Sequence, residues 1–231
     1  MKIKILGTRG EIEASAPYHS HHSGILLDKK IMFDLGEEEF LKYKPEIIFI
    51  THLHPDHAFF VRDGKEVEIK NPIYASEKYK NNVSVKVFKK SQKFDSYKIT
   101  PIQTLHSKHV KSQAYLIEKD KQKILYTGDM IWIEKKYHPK LSNLDLVITE
   151  SSFFRKGGMI RKDKITGQLY GHNGVPDLIH LFEKFTKNIT LMHFGSWFFS
   201  DIKKSRQKIQ KLAKENNVNL IVGYDGMEIE V

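Results

Sequence analysis

Short runs of aliphatic and β-branched residues recur along nearly the whole chain, and no other feature limits the possible folds as strongly. Most runs end in polar or glycine-containing turns, which is typical of strands and hairpins. Helical periodicity appears late, in 174–187 with Pro176 in its first turn, and in 201–217 with Ser200 or Asp201 as the cap. Many strands with few helices predict an α/β (or α+β) fold in which helices cover sheets. The predicted strands lie at 2–6, 24–28, 30–35, 46–50, 72–76, 83–88, 97–105, 112–118, 123–129, 144–150, 188–194, 218–224 and 227–231.

The length of 231 residues is sufficient for one domain with a large core, and no stretch resembles a linker. We therefore expect residues 1–231 to form a single domain. No apolar run is long enough to span a membrane, and the first residues lack the apolar centre of a signal peptide. The absence of cysteine excludes disulfides, thiolate metal sites and thiol catalysis. These features predict a soluble, cytoplasmic protein that does not act at a membrane.

The charge balance is strongly basic, with 38 Lys and Arg against 28 Asp and Glu, a net charge of +10. A basic surface favours polyanionic partners such as nucleic acid. The alternative is an ordinary solvated surface rich in lysine, including the lysines of 201–217. Composition does not decide between these two interpretations, nor between a monomer and a homodimer.

The segment THLHPDH (51–57) follows the apolar run 46–50 and concentrates side chains that can bind metals. Alternation along an extended segment sends His52 and His54 to the same side. A turn at Pro55 then allows Asp56 and His57 to reach a second point nearby. Imidazole and carboxylate ligands suit zinc and similar divalent ions. The segment therefore predicts part of a site for two metal ions.

Two ions need further ligands, and these are expected where later strands end, because loops meet there to form sites. His106, Asp129 and His193 each stand at the end of a predicted strand. His109 competes with His106, but His106 directly follows its strand and is preferred. His109 is then a surface residue or a residue that supports the site from outside.

This set of residues resembles the ligand set of the metallo-β-lactamase superfamily of hydrolases, and the resemblance extends over nearly the whole chain. It implies a four-layer αββα sandwich with the site at one edge of its two sheets. Histidine at position 54, where the diiron oxidoreductase branch usually carries glutamate, favours a hydrolytic centre. The implied cofactors are two divalent ions, with zinc favoured over manganese or iron.

The resemblance also implies a role for each ligand. The first ion would be held by His52, His54 and His106. The second ion would be held by Asp56, His57 and His193, with Asp129 bridging the pair and Asp56 also counted as catalytic. Two ions about 3.5–4 Å apart lower the pKa of a shared water, so that a bridging hydroxide is available for hydrolysis.

Glu150, His172 and the segment LMHFGSWF (191–198) are similar to parts of ribonuclease Z and its phosphodiesterase relatives. In that branch a glutamate and a histidine help to protonate the leaving oxygen, which makes His172 the candidate acid and Glu150 the residue that orients it. The other interpretation is that Glu150 only ends a strand and His172 only caps the following helix.

This chain also departs from the ribonuclease Z pattern. Thr149 stands where that enzyme has a histidine, and its His-Ser-Thr motif is His172-Asn173-Gly174 here. Only one hairpin fits between His106 and Asp129, where ribonuclease Z has its tRNA-binding arm. A substrate other than the tRNA 3′ end is therefore expected.

Several other polar residues have open roles. Residues 151–173 show no clear period and read as a long loop or lid, or else as a surface excursion. Asp34 either orients a metal-binding imidazole or caps a turn. His19, His21 and His22 form a loop cluster that could line the cleft. His138 and His180 are expected to be surface or packing residues.

Three functions remain open at this point. The first is a phosphodiesterase acting on RNA or on a small nucleotide-like phosphodiester. The second is a lactonase or another carboxyl-ester hydrolase, which an apolar cleft would favour. The third is a non-catalytic module that binds nucleic acid, against which the full ligand set with Asp129 argues.

Overall fold

The structure is a computed structural model that describes residues 1–62, 67–79, 81 and 83–231. Its first sheet has seven strands. Counted along the chain, the first three strands pair antiparallel, and the third to the sixth pair parallel. Numbered in chain order, the strands are β1 (Lys2–Gly7), β2 (Gly24–Leu27), β3 (Ile31–Phe33), β4 (Ile47–Phe49), β5 (Ile73–Ala75), β6 (Val85–Val87) and the last strand of the chain, β17 (Glu228–Glu230). Their order across the sheet is β17-β1-β2-β3-β4-β5-β6.

The second sheet is built from the middle and the later parts of the chain. Its strands are β7 (Gln92–Phe94), β8 (Tyr97–Leu105), β9 (Ser112–Lys119), β10 (Gln122–Tyr126), β11 (Trp132–Ile133), β12 (Leu146–Ser151), β15 (Asn188–Phe194) and β16 (Asn219–Val222). The order is β11-β8-β9-β10-β12-β15-β16, and β7 pairs with β8. Strands β10, β12, β15 and β16 run parallel, so their carboxyl ends lie along one edge.

In the described part of the chain, three α-helices lie among the later strands: α1 (Val175–Phe182) before β15, and α2 (Ser196–Phe199) and α3 (Ile202–Glu215) between β15 and β16. Helix α3 is capped by Asp201, whose side chain accepts a hydrogen bond from the Lys204 amide. Helix α1 is shorter than the predicted segment because the chain turns after Phe182, where its carbonyl accepts the Phe185 amide. Among the described residues, no helix combines the length and the apolar composition needed to cross a bilayer.

Apolar side chains form the layers that the sequence predicted. One cluster fills the space between the two sheets and includes Phe33, Phe49, Tyr115, Tyr126 and Ile148. A second cluster packs the outer face of the second sheet against α1 and α3. On the outer face of the first sheet, Phe40, Phe59 and Phe60 belong to short 3₁₀ helices, Glu38–Tyr43 and Phe59–Val61. The predicted αββα architecture is confirmed, with 3₁₀ helices in the layer outside the first sheet.

The segment 151–173 differs from the irregular loop that its sequence predicted. It contains β13 (Met159–Lys162) and β14 (Leu169–His172), which pair as an antiparallel hairpin. The Gly171 amide donates to the His106 carbonyl at 2.6 Å, which fixes the hairpin to the end of β8. The alternation was hard to recognise because both strands are short and none of their residues is buried.

Candidate metal centre

Three histidines converge where β4 and β8 end. His52 Nε2 lies 3.0 Å from His54 Nδ1, and His106 Nε2 lies 3.3 Å from the same atom. The extended backbone after β4 directs His52 and His54 to one side, as their spacing predicted. His106 reaches them from the first position after β8.

A second group lies directly beside the first. The amides of His57 and Ala58 both donate to the His54 carbonyl, and this turn carries Asp56 and His57 back toward the sheet edge. His193 Nε2 lies 2.8 Å from Asp56 Oδ2, although β15 and this turn are far apart in sequence. In each group, the candidate ligand atoms all lie within 4.8 Å of one another.

Asp129 lies between the two groups. Its Oδ1 is 3.3 Å from His57 Nε2 and 3.4 Å from His193 Nδ1. Its Oδ2 is 3.8 Å from the Nε2 atoms of both His52 and His106. One carboxylate therefore faces both groups, which is the position that a bridging ligand requires.

The donor set fits divalent cations. Among the described residues, His57 Nε2 and Asp129 Oδ1 are buried without a hydrogen-bond partner, a costly state for polar atoms unless a cation binds them. The nitrogens of the first group also face each other with no side chain of another type between them. Nitrogen and oxygen donors without sulfur suit zinc, manganese or iron.

The electrostatics favour the metal-binding forms of His52, His54 and Asp129. Burial lowers the pKa of the His54 imidazole to about 4, and the charge of His106 adds to this effect. Burial and the neighbouring His57 hold the pKa of His52 well below its ordinary value. Burial opposes ionisation of Asp129, but attraction to His193 and His57 keeps its pKa well below the usual range. Neutral imidazole and ionised carboxylate are the ligand forms of these groups.

Asp34 hydrogen-bonds a candidate metal ligand, His57, so its role is more than capping a turn. It is completely buried, and its Oδ2 accepts from His57 Nδ1 at 2.7 Å and from the Tyr126 hydroxyl at 2.8 Å. The Thr51 amide donates to Oδ1 at 2.7 Å. Since Nδ1 of His57 is held in this way, its Nε2 points into the site.

His172 and Glu150 form a pair at the wall of the same site. His172 Nδ1 lies 2.8 Å from Glu150 Oε2, and Glu150 Oε1 accepts the Met130 amide at 2.7 Å. Burial lowers the pKa of His172, but Glu150 and Asp129 outweigh it and raise that pKa to about 9. His172 does not cap α1, because the residue at that position is Gly174.

Ser152 is a site residue that the sequence interpretation did not include. Its hydroxyl donates to Glu150 Oε2 and lies 3.1 Å from His172 Nδ1 and 3.0 Å from His193 Nδ1. The one available signal was its position two residues after Glu150, which places both on the same side of an extended chain.

A cavity of about 280 Å³ opens onto both metal groups. His54, Asp56, Asp129, His172 and His193 form its polar wall. Ile12, Phe153 and Met159 give it an apolar wall. A cleft with candidate metal ligands and His172 on one side and apolar contacts on the other can bind a small molecule.

The remaining histidines lie outside this cavity. His19 is buried, with its ring against Phe194 and Phe198 and its Nδ1 2.9 Å from the Thr8 hydroxyl. His22 pairs with Glu37 at 2.6 Å, and His21 lies between Glu39 and Asp225. Of the two roles that the sequence left open for this cluster, the structure does not show contact with the cleft, which Gly10, Glu11 and Ile12 of the same loop line instead.

Three further histidines also have no part in the cavity wall. His109 is exposed and follows His106 by three positions. It is not a member of the group of candidate ligands that contains His106. His138 packs edge-on against Phe185, with ring centroids 5.2 Å apart. His180 is 86% exposed and pairs with Glu183. The prediction of surface and packing roles for His138 and His180 agrees with this placement.

Comparison with known proteins identifies the family. The sequence profile of the beta-lactamase superfamily domain matches residues 41–194, and the chain belongs to this superfamily, in its metallo-β-lactamase fold. No curated protein sequence matches the chain significantly.

Solved structures agree in fold along the full length. The metallo-β-lactamase fold protein YhfI from Bacillus subtilis has a TM-score of 0.73 at 18% identity, with 100% of this chain and 99% of that chain covered. Human tRNase Z, short form, has a TM-score of 0.64 at 17% identity over 100% and 99%. A diphosphatase from the PhnP family has a TM-score of 0.67 at 13% identity over 100% and 97%. At such identities the similarity shows the fold alone.

Proposed function

We propose that this protein is a metal-dependent phosphodiesterase that acts on RNA or on a small nucleotide-like phosphodiester. The observation that carries the proposal is that His172, which lies 2.8 Å from Glu150, lines the cavity that both metal groups share. Hydrolysis of a phosphodiester with a poor leaving group needs a proton donor beside the metals. The names of two neighbours in fold, a tRNase Z and a diphosphatase, are compatible with this chemistry.

His172 is the proposed acid. Its Nδ1 is engaged by Glu150, so its Nε2 is the atom that gives a proton to the leaving oxygen. The Glu150 carboxylate holds the ring in place and stabilises its protonated form. Ser152 donates its hydroxyl proton to Glu150 Oε2, the same oxygen that faces His172.

Asp56 has a double role in this proposal. One carboxylate oxygen contacts His193 within the second metal group, and the residue also lines the cavity. The other carboxylate oxygen can orient the attacking water and accept its proton. The metal ions, when bound, supply an activated water and neutralise charge that develops on the phosphoryl oxygens.

The proposed cofactors are two zinc ions, one for each group of ligands. Zinc suits a set dominated by imidazole, and manganese or iron would be recognised by analysis of the purified protein. We place the activity in the cytoplasm, with a phosphodiester as the binding partner and no membrane involved.

Hydrolysis of bis(p-nitrophenyl) phosphate by zinc- or manganese-loaded protein tests the proposal, with Asp56→Ala as the variant that should be inactive. Wild-type turnover that is lost in this variant is the expected result. Absence of turnover in protein with two bound ions would overturn the phosphodiesterase assignment.

The role of His172 is tested by comparing leaving groups. The p-nitrophenolate ion leaves without a proton, whereas the alkoxide of a dinucleotide needs one. His172→Ala should therefore lower kcat by about 10²–10⁴-fold for a dinucleotide, and by much less for the nitrophenyl ester. His180→Ala removes an exposed histidine and is the matched control. Equal losses for both substrates would contradict the role as an acid.

A second candidate function is hydrolysis of carboxyl esters such as lactones. The apolar wall of Ile12, Phe153 and Met159 favours it, because such a wall suits an acyl chain. Lactone turnover without phosphodiester turnover would establish this alternative. Turnover of either substrate would exclude a non-catalytic binding module.

A further inference from the structure

The hairpin β13–β14 extends the wall of the cavity outward. Its pairing places Met159 opposite His172 and Arg161 opposite Tyr170. Residues two positions apart on a strand share a face, and so do directly paired residues. Arg161 and Tyr170 therefore stand on the same face as Met159 and His172, which line the cavity. We call this face the inner face of the hairpin.

Contacts with the loop after β8 confirm which face points inward. The Lys108 ammonium lies 5.2 Å above the Tyr170 ring and 3.2 Å from Asp163 Oδ2. Gln168 Nε2 donates to the Ser107 carbonyl at 3.0 Å. Lys162 pairs with Leu169 on the opposite face of the hairpin, which we call the outer face. Both residues are exposed.

The chemistry of the inner face suits a nucleotide. Arg161 is exposed, and no ion pair or hydrogen bond engages its guanidinium within the described part of the chain. Tyr170 offers a partly exposed ring with a cation on one side. Tyr170 lies two residues from His172 along β14, and Arg161 lies two residues from Met159 along β13. On a strand this spacing corresponds to about 7 Å. An aromatic ring beside a free cation is the combination that binds single-stranded nucleic acid with little regard to sequence.

We infer that the inner face of the hairpin is a subsite for the nucleotide next to the scissile phosphodiester in a single-stranded nucleic acid. Arg161 binds the adjacent phosphate, and Tyr170 stacks on its base. The net charge of +10 favours such a partner at longer range. This inference rests on the proposed phosphodiesterase function and specifies its substrate class.

Binding of a fluorescent single-stranded oligoadenylate tests the subsite directly. Phosphorothioate linkages keep the charge and slow cleavage, so the zinc-loaded protein can be titrated by fluorescence anisotropy. Tyr170→Ala should weaken binding about tenfold through loss of one stacked base, and Tyr170→Phe should restore it. Arg161→Ala should also weaken binding and reduce the slope of log affinity against log salt by about 0.7, the value for one phosphate on a single strand.

Lys162→Ala is the matched control, because it removes the same charge from the outer face of the same hairpin. It should keep the wild-type affinity and salt slope. If Arg161→Ala and Lys162→Ala behave alike, or if Tyr170→Ala binds as wild type does, the subsite is overturned.

Kinetics separate this inference from the proposed function. The ratio of kcat/KM for the natural-linkage oligonucleotide to that for bis(p-nitrophenyl) phosphate should fall in Arg161→Ala and Tyr170→Ala. Wild-type cleavage of the nitrophenyl ester with no cleavage or binding of the oligonucleotide would overturn the subsite and leave the phosphodiesterase proposal intact. Failure of the nitrophenyl assay would remove the proposed function, while the anisotropy comparison would still decide whether the subsite exists.

Discussion

At the scale of single residues, Asp34 shows why a sequence pattern can leave two roles open. Its donors come from Thr51, His57 and Tyr126, and Tyr126 belongs to the other sheet. None of these contacts is local, so the sequence around Asp34 indicated only a turn. The candidate metal ligands were easier to propose, because His106, Asp129 and His193 each stand at the end of a predicted strand.

Replacement of Asp34 by asparagine tests its orienting role. In Asp34→Asn the amide keeps the shape but loses a charged acceptor, so His57 is held less firmly. The affinity for zinc should fall about 10- to 100-fold, as measured by competition with a chromogenic chelator. Asp28→Asn changes a carboxylate of the same sheet far from the site and should bind zinc as wild type does. Unchanged affinity in a folded Asp34→Asn protein would contradict the role.

At the scale of elements, strands were predicted more reliably than short helices and the hairpin. Long apolar runs such as 97–105 and 188–194 match β8 and β15 from end to end. The 3₁₀ helices have too few turns to show a period. The β13–β14 hairpin packs on a loop instead of the core, so an apolar alternation did not mark it. The contacts of Ser152 escaped prediction for the related reason that tertiary structure creates them.

Gly171 is the position where the hairpin depends most on its residue type. Its φ is +119°, and a Cβ there would lie 2.0 Å from the Met159 carbonyl oxygen. Its own carbonyl contacts His106 Nδ1 at 2.9 Å. Gly171→Ala should displace β14 and lower both zinc affinity and kcat/KM by about tenfold or more, because His106 loses its orienting partner.

The control for this variant is Gly167→Ala at the turn of the same hairpin. Gly167 also has a positive φ, +72°, but the nearest atom to an added Cβ is Lys162 Cε at 3.7 Å. It imposes a similar backbone strain without a clash. Chelator competition measures the zinc affinity of both variants, and steady-state kinetics measures their kcat/KM. If both quantities fall equally in Gly171→Ala and Gly167→Ala, backbone strain alone is responsible.

At the scale of the whole molecule, the candidate metal ligands come from both sheets. His52, His54, Asp56 and His57 follow β4 of the first sheet. His106, Asp129 and His193 come from the ends of β8, β10 and β15 in the second. Metal ions bound to both sets would therefore oppose separation of the sheets.

Removal of metal should lower the stability of the entire protein. A ligand at 100 times its Kd adds about 2.7 kcal/mol to the free energy of unfolding. For a chain of this size, that corresponds to about 5–10 °C in Tm. Thermal unfolding followed by circular dichroism, with zinc and with EDTA, measures the difference. This difference in Tm should be unchanged in His109→Ala and smaller in His106→Ala. Coincident unfolding curves of the wild type with zinc and with EDTA would show that metals do not link the sheets.

The hydrogen bond between His106 Nδ1 and the Gly171 carbonyl has a thermodynamic consequence. In the proposed function the same carbonyl belongs to the hairpin and orients the metal ligand His106, so two equilibria would share one contact. Any molecule whose binding shifts β14 must change the affinity of the site for its metal by some factor. By reciprocity, the metal then changes the affinity for that molecule by the same factor. Metal supply and hairpin occupancy are therefore coupled variables, and neither can be titrated without reference to the other.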